Sequence, residues 1–335
     1  MPVQLDAAMG LLPVLTFLAA LLYLDSYKLV RLRSVVAVVL CGALAAGASF
    51  VTNAAVLHAF NIDLAAFSRY VAPLIEECWK AIIIVVLIRT HRIGFLVDAA
   101  IFGFAAGAGF AMIENIHFLD TIPDAAVGTW IVRGFGTAIM HGGATALFAV
   151  MGLAMSERVK WHALSTLLPG FGLAVVLHST FNHLSGSPRL ATLAMFVVVP
   201  LLSYVVFERS EKATSDWLVK GFDADAELMA LIGSGQLTES PLGRYLHTLK
   251  DRFRGLVVAD ILCYLRLHTE LSMRAKGFLM MRESGFTPTV DDEIRDKFTE
   301  MRYLEGSIGK TGLLAIQPLL NVSRKDLWQM YMLGK

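Results

Sequence analysis

The sequence predicts an all-α, polytopic membrane bundle of about seven spans over residues 1–207, followed by a soluble helical domain over 208–335. Three observations predict it. The 335 residues are 56% hydrophobic and the mean hydropathy is +0.61, too apolar for a soluble chain of this length. The charges are unevenly placed: 11 of 29 Lys and Arg and 10 of 28 Asp and Glu precede Glu208. Apolar runs in the first part reach roughly 20 residues, enough to cross a bilayer as a helix.

Taken in order, the runs lie at about 8–24, 34–58, 70–90, 95–118, 129–154, 163–184 and 190–207. The amino terminus, MPVQLDAAMG, lacks the basic stretch of a cleaved signal peptide, so the first run is read as a retained span. Lys28, Arg31 and Arg33 follow the first run, Arg89 and Arg92 the third, Arg158 and Lys160 the fifth, and Arg209 and Lys212 the seventh. The opposite loops carry Asp63, Asp120 and Asp124, with only Arg69 and Arg189 as basic residues. This bias orients the chain with its amino terminus outside and its carboxyl terminus in the cytoplasm of a bacterial-type cell membrane.

Beyond Glu208, charges alternate with apolar residues at helical spacing. A helix is expected over 241–268 and another within 290–309, with Ser323 capping a short final one. This domain is expected to regulate or to form a homodimer. A net charge of +1 points to no nucleic-acid partner. Cys41, Cys78 and Cys263 are too few and too scattered for a disulfide framework or zinc cluster.

The informative residues are the polar ones inside apolar runs. A carboxylate at the membrane centre costs about 2.5–3.5 kcal/mol on insertion scales. Glu76, Glu77 and Lys80 lie in the third run, Glu114 and Asn115 in the fourth, His141 in the fifth, and His178 and Asn182 in the sixth. With about 1.5 Å of rise per residue, these residues fall at a common level in the outer half of the bilayer. One shared site accounts for that coincidence. Lys80 stands three residues after Glu77 and four after Glu76, within reach of either. His178 and Asn182 share a face. Gly103, Gly107 and Gly109 allow the fourth span close to its neighbours. His117, His183 and Arg133 fall near the outer interface, where long or amphipathic side chains reach the headgroups.

A carboxylate and a histidine aimed at one water can make it a nucleophile. Asn182 with His141 or His178 supplies the donors an oxyanion needs. The chemistry implied is peptide hydrolysis within the membrane, without a cofactor. The sequence contains no H-E-x-x-H helix, no G-x-S-x-G elbow and no internal repeat of the kind transporter folds carry. A metal-dependent peptidase held by the same Glu and His residues, and a scaffold or receptor binding a membrane partner, are the rival readings.

The ordered motifs Glu76-Glu77-x-x-Lys80, Phe110-Ala111-x-x-Glu114-Asn115, His141 and His178-x-x-Phe181-Asn182 resemble the PrsW family of intramembrane proteases, over roughly residues 60–207. That family is similar to the CAAX prenyl-protease clan of glutamate-type membrane peptidases. The resemblance implies that Glu76 activates water with a histidine's help, that His178 and Asn182 stabilise the oxyanion, and that Glu77 and Lys80 orient them. It also implies a membrane-anchored substrate like a single-pass anti-sigma factor, cut on the outer side. Two departures stand out: Lys80 replaces the clan's usual arginine, and Glu114 follows Phe110 where the clan has a histidine. Glu114 therefore either takes that histidine's place or supports it, and Asn115 is a supporting residue.

Overall fold

The computed structural model describes residues 3–122, 125–158, 164–183, 187–317 and 319–320, and among these every regular element is helical. Asp124, Lys160 and the helix expected after Ser323 lie outside the described residues. The chain divides into two compact units, Met1–Glu211 and Lys212–Lys335.

The first unit contains α1 (Val3–Leu24), α2 (Leu32–Phe60), the short α3 (Leu64–Ala66), α4 (Ala72–Arg89), α5 (Leu96–Thr121), the short α6 (Val127–Ile131), α7 (Ala138–Arg158), α8 (Leu168–His183) and the first part of α9 (Pro188–Gly233). Five helices are long and apolar enough to span a bilayer: α1, α2, α5, α7 with the turns before it, and α9. The third and sixth expected spans fall short of that test. The charges of Glu76, Glu77, Lys80 and Arg89 lower the hydropathy of α4, and α8 has 16 residues.

Helix α5 is the centre of the unit, packed chiefly between α7 and α2, with 83% of its apolar window buried against 22% for α1 and α9. Its composition explains why: a Cβ on Gly107 would lie 2.2 Å from the carbonyl oxygen of His141, and one on Gly109 would lie 2.0 Å from that of Val39. Only glycine lets these backbones touch. Asp98, fully buried at the start of α5, accepts the backbone N–H groups of Gly94 (2.8 Å) and Phe95 (2.7 Å), so its polarity is absorbed by the helix end. Large apolar side chains such as Leu44 and Val51 on α2 and Leu193 and Phe196 on α9 stay exposed, as lipid-facing surfaces require.

Two π-helical turns interrupt the run of α-helix. Phe67–Val71 leads into α4 and Val132–Thr137 into α7. The first has a visible cause in Pro73, which offers no N–H to the preceding turn and crowds the carbonyl of Arg69. The carbonyls of Ser68 and Arg69 turn to α8 instead, accepting from Asn182 Nδ2 (2.8 Å) and Ser179 Oγ (2.6 Å). Neighbouring side chains here satisfy backbone that a proline frees.

The second unit comprises the rest of α9, α10 (Pro241–Leu249), α11 (Gly255–Glu283) and α12 (Asp292–Ile316), with α11 against α12. The single helix expected over 241–268 is broken at residues 250–254. Leu242, Leu246 and Leu249 form one buried stripe and Val258, Ile261 and Leu265 another. On one straight helix those stripes would point about 120° apart, so a bend is needed to bury both. Ser240 caps α10 through Gly243 N (2.9 Å), and Asp291 caps α12 through Ile294 N (2.9 Å). Lys276, buried on α11, is held by Asp225 Oδ2 (2.6 Å) and Ser272 Oγ (2.9 Å).

Candidate functional site

Helices α2, α4, α5, α7 and α8 bring most of the expected residues into one hydrogen-bonded cluster. Its dry centre is on α4. Glu77 Oε1 accepts from Lys80 Nζ at 2.5 Å and from His178 Nδ1 at 2.9 Å. The side chains of Lys80 and Glu77 are 0% and 2% exposed. Glu76 keeps 15% exposure and is the more accessible acid of the pair. Its Oε1 accepts from Asn53 Nδ2 of α2 (3.2 Å), and its Oε2 faces His178 Nε2 at 3.8 Å.

The tautomers follow from the partners. An ammonium has only protons to give, so His141 Nδ1 accepts from Lys80 Nζ (3.0 Å) and its Nε2–H donates to Glu114 Oε2 (2.8 Å). A carboxylate can only accept, so His178 Nδ1–H donates to Glu77, and its Nε2 is turned to Glu76. The two imidazoles pack edge to face with centroids 4.7 Å apart, and the Lys80 ammonium lies 4.8 Å from the centre of the Phe110 ring.

Glu114 and Asn115 form the flank on α5. Glu114 Oε1 pairs with Arg133 at 3.1 Å. Asn115 accepts from Arg133 Nε (2.9 Å) and donates to the carbonyl of Gly10 (2.7 Å), tying α1 to the flank. Arg133 is thus a structural member of the cluster, stacked 3.6 Å over Phe118. The expectation that it reaches toward the headgroups is corrected, because the acid it neutralises is within the bundle. Asn182 is not among the groups gathered at the centre. It stands a turn beyond His178 and spends one amide proton on Ser68. His117 and His183 are exposed and pack against Phe50 and Tyr70, respectively.

Sequence reasoning missed Asn53, Ser179 and the role of Pro73. Asn53 had a usable signal, a lone amide in an apolar run, of the kind that bonds across helices in lipid. Above the centre, Ser68, Arg69, Val132, Phe181, Asn182 and Ala191 help line a cavity of about 300 Å³.

Comparison with known proteins agrees with the chain's motifs. The family model described as PrsW family intramembrane metalloprotease matches residues 31–206, a range that contains the whole cluster. No curated protein and no solved structure matches the chain.

Proposed function

Because the chain belongs to the PrsW family of intramembrane proteases, we propose that it cuts a membrane-anchored, single-pass protein of the anti-sigma-factor kind at the cluster built on Glu76 and His178. One observation carries this reading: a carboxylate oxygen of Glu76 and the Nε2 of His178 face each other at 3.8 Å. With that nitrogen unprotonated, a water between them donates one hydrogen bond to each and turns a lone pair of its own toward a substrate carbonyl. Glu76 takes the proton as the oxygen attacks, then passes it to the leaving amine. Asn53 occupies Oε1 of Glu76 and so leaves Oε2 for the water. Glu77 fixes the tautomer of His178, and Lys80 balances the charge of Glu77 where no solvent does. Asn182 retains a second amide proton, the donor type that an oxyanion needs.

The family's description includes a metal, and the residues fit one once Lys80 Nζ gives up the Nδ1 of His141 that it now occupies. Glu76, His141 and His178 each offer a donor atom, all within 4.8 Å of one another, and two histidines with a glutamate are a set that catalytic zinc uses. The far nitrogen of each imidazole rests on a carboxylate, Glu77 or Glu114, an arrangement that orients ligating histidines. These three residues would hold the ion, which would supply Lewis-acid polarisation of water and carbonyl.

With α4 and α8 counted as spans, seven helices cross the membrane. We assign the site to the outer half, the amino terminus to the outside, and the second unit to the cytoplasm as a regulatory or dimerising domain. The test is cleavage of a single-pass reporter by reconstituted protein carrying Glu76→Gln or His178→Ala. Both variants are expected to lose cleavage while remaining folded. Full cleavage by both would end the proposal, and partner binding without any product in the unaltered protein would favour a scaffold. Metal content of the purified protein, with and without His141→Ala, decides between the two forms of the water-activating chemistry.

A further inference from the structure

We infer that the 300 Å³ cavity above the cluster is a substrate subsite that takes an acidic side chain, with Arg69 as the group that binds it. The inference rests on the peptidase reading and deepens it. The position of the cavity follows from helix register. Its wall residue Asn182 stands one turn beyond His178, and Arg69 stands two turns before Glu76, about 6 and 10 Å along the two helices. Ser179 and Asn182 bond to the carbonyls of Arg69 and Ser68, so both walls are fixed to each other directly above the cluster.

The chemistry of the cavity points to an anion. Arg69 is half-buried, and no acid lines the cavity with it. The buried cations of the cluster have acids of their own: Lys80 has Glu77 and Arg133 has Glu114. Arg69 has no ion-pair partner among the described residues. It is also one of two basic residues in loops that otherwise carry acids, so its charge is not there to orient the chain. A guanidinium presents two parallel N–H groups that match a carboxylate. Both π-helical turns contribute to the walls, through Ser68 and Arg69 on one side and Val132 on the other. Such turns widen a helix at the expense of regular bonding and concentrate at functional sites. An extended peptide advances about 3.3 Å per residue, so the acid recognised lies roughly two to three residues from the bond that is cut.

Binding tests this independently of cleavage. A dye-labelled single-pass peptide would carry Glu, Gln or Lys at successive positions at one end of its apolar segment. Its affinity is measured by anisotropy for full-length Glu76→Gln protein in phosphatidylcholine nanodiscs. At the matching position Glu is expected to bind about ten-fold tighter than Gln. Arg69→Gln should equalise the two, and Arg69→Glu should favour Lys. Equal affinity of the Glu and Gln peptides for protein retaining Arg69, or a Glu preference that survives Arg69→Gln, would overturn the inference. So would an effect of Arg69 seen only when phosphatidylglycerol is added, which would assign the cation to lipid headgroups. Because the readout is binding, failure of the hydrolytic reading would leave this result intact, and the reverse also holds.

Discussion

Gly107→Ala puts the geometry of the cluster to a direct test. The added methyl would lie 2.2 Å from the carbonyl oxygen of His141 and 2.7 Å from Cα of Gly142, where ordinary contact begins at 3.4 Å. Both atoms are backbone, so no side chain can swing aside, and α5 and α7 must part by about 1 Å in a close-packed interior. His141 rides on α7. A shift of that size stretches its 2.8 Å bond to Glu114 and its 3.0 Å bond to Lys80 past useful range. Overpacking of this kind costs about 1–3 kcal/mol of stability, whereas a 1 Å misplacement of catalytic groups can cost about 10²-fold in rate. The expected result is a modest fall in thermal stability with a loss of reporter cleavage near a hundred-fold in proteoliposomes. Gly172→Ala on α8, whose Cβ meets nothing within 4 Å, is the control and should change neither. Cleavage by Gly107→Ala at the control rate would refute the claim that the α5–α7 approach sets the position of His141.

Three further outcomes follow from the same structure. Arg133→Met strips Glu114 of its cation and Asn115 of a donor; leaving that acid half-paired should cost about 3 kcal/mol, read by thermal unfolding in detergent. Pro73→Ala restores an N–H to the turn before α4. The turn should close, its carbonyls should leave Ser179 and Asn182, and cleavage should fall about ten-fold without loss of melting temperature. Lys276→Met leaves Asp225 and Ser272 without their ammonium and should destabilise the second unit by about 3–5 kcal/mol. The double variant with Asp225→Leu should recover most of that, and no recovery would mean that the pair is not coupled.

The constellation was legible because apolar helices make polar residues conspicuous. Glu76, Glu77, Lys80, Glu114, Asn115, His141 and His178 all declared themselves by being expensive where they stand, and the structure gathers them. Gly107 and Gly109 were legible for the complementary reason, since absent side chains in a span imply a neighbour's backbone. Arg133 was misread because its place near a helix end allowed a solvent explanation, and only the third dimension shows that its side chain is half-buried against Glu114. The break between α10 and α11 was hidden because each stripe is a good helix by itself, and their phase difference matters only once both must be buried. Ser179 and Pro73 gave no signal at all: a serine in a span bonds its own helix as readily as another.

Apolar surfaces grip without direction, so two greasy rods in a lipid solvent can slide along each other at little cost. Between α4 and α8 that freedom is removed by two directional bonds to carbonyls that a proline left vacant. Sliding α8 by a single residue, about 1.5 Å, would forfeit both at once. The alignment of acid and imidazole is therefore set in discrete steps, like teeth in a rack, by a flaw in one helix that the other is shaped to engage.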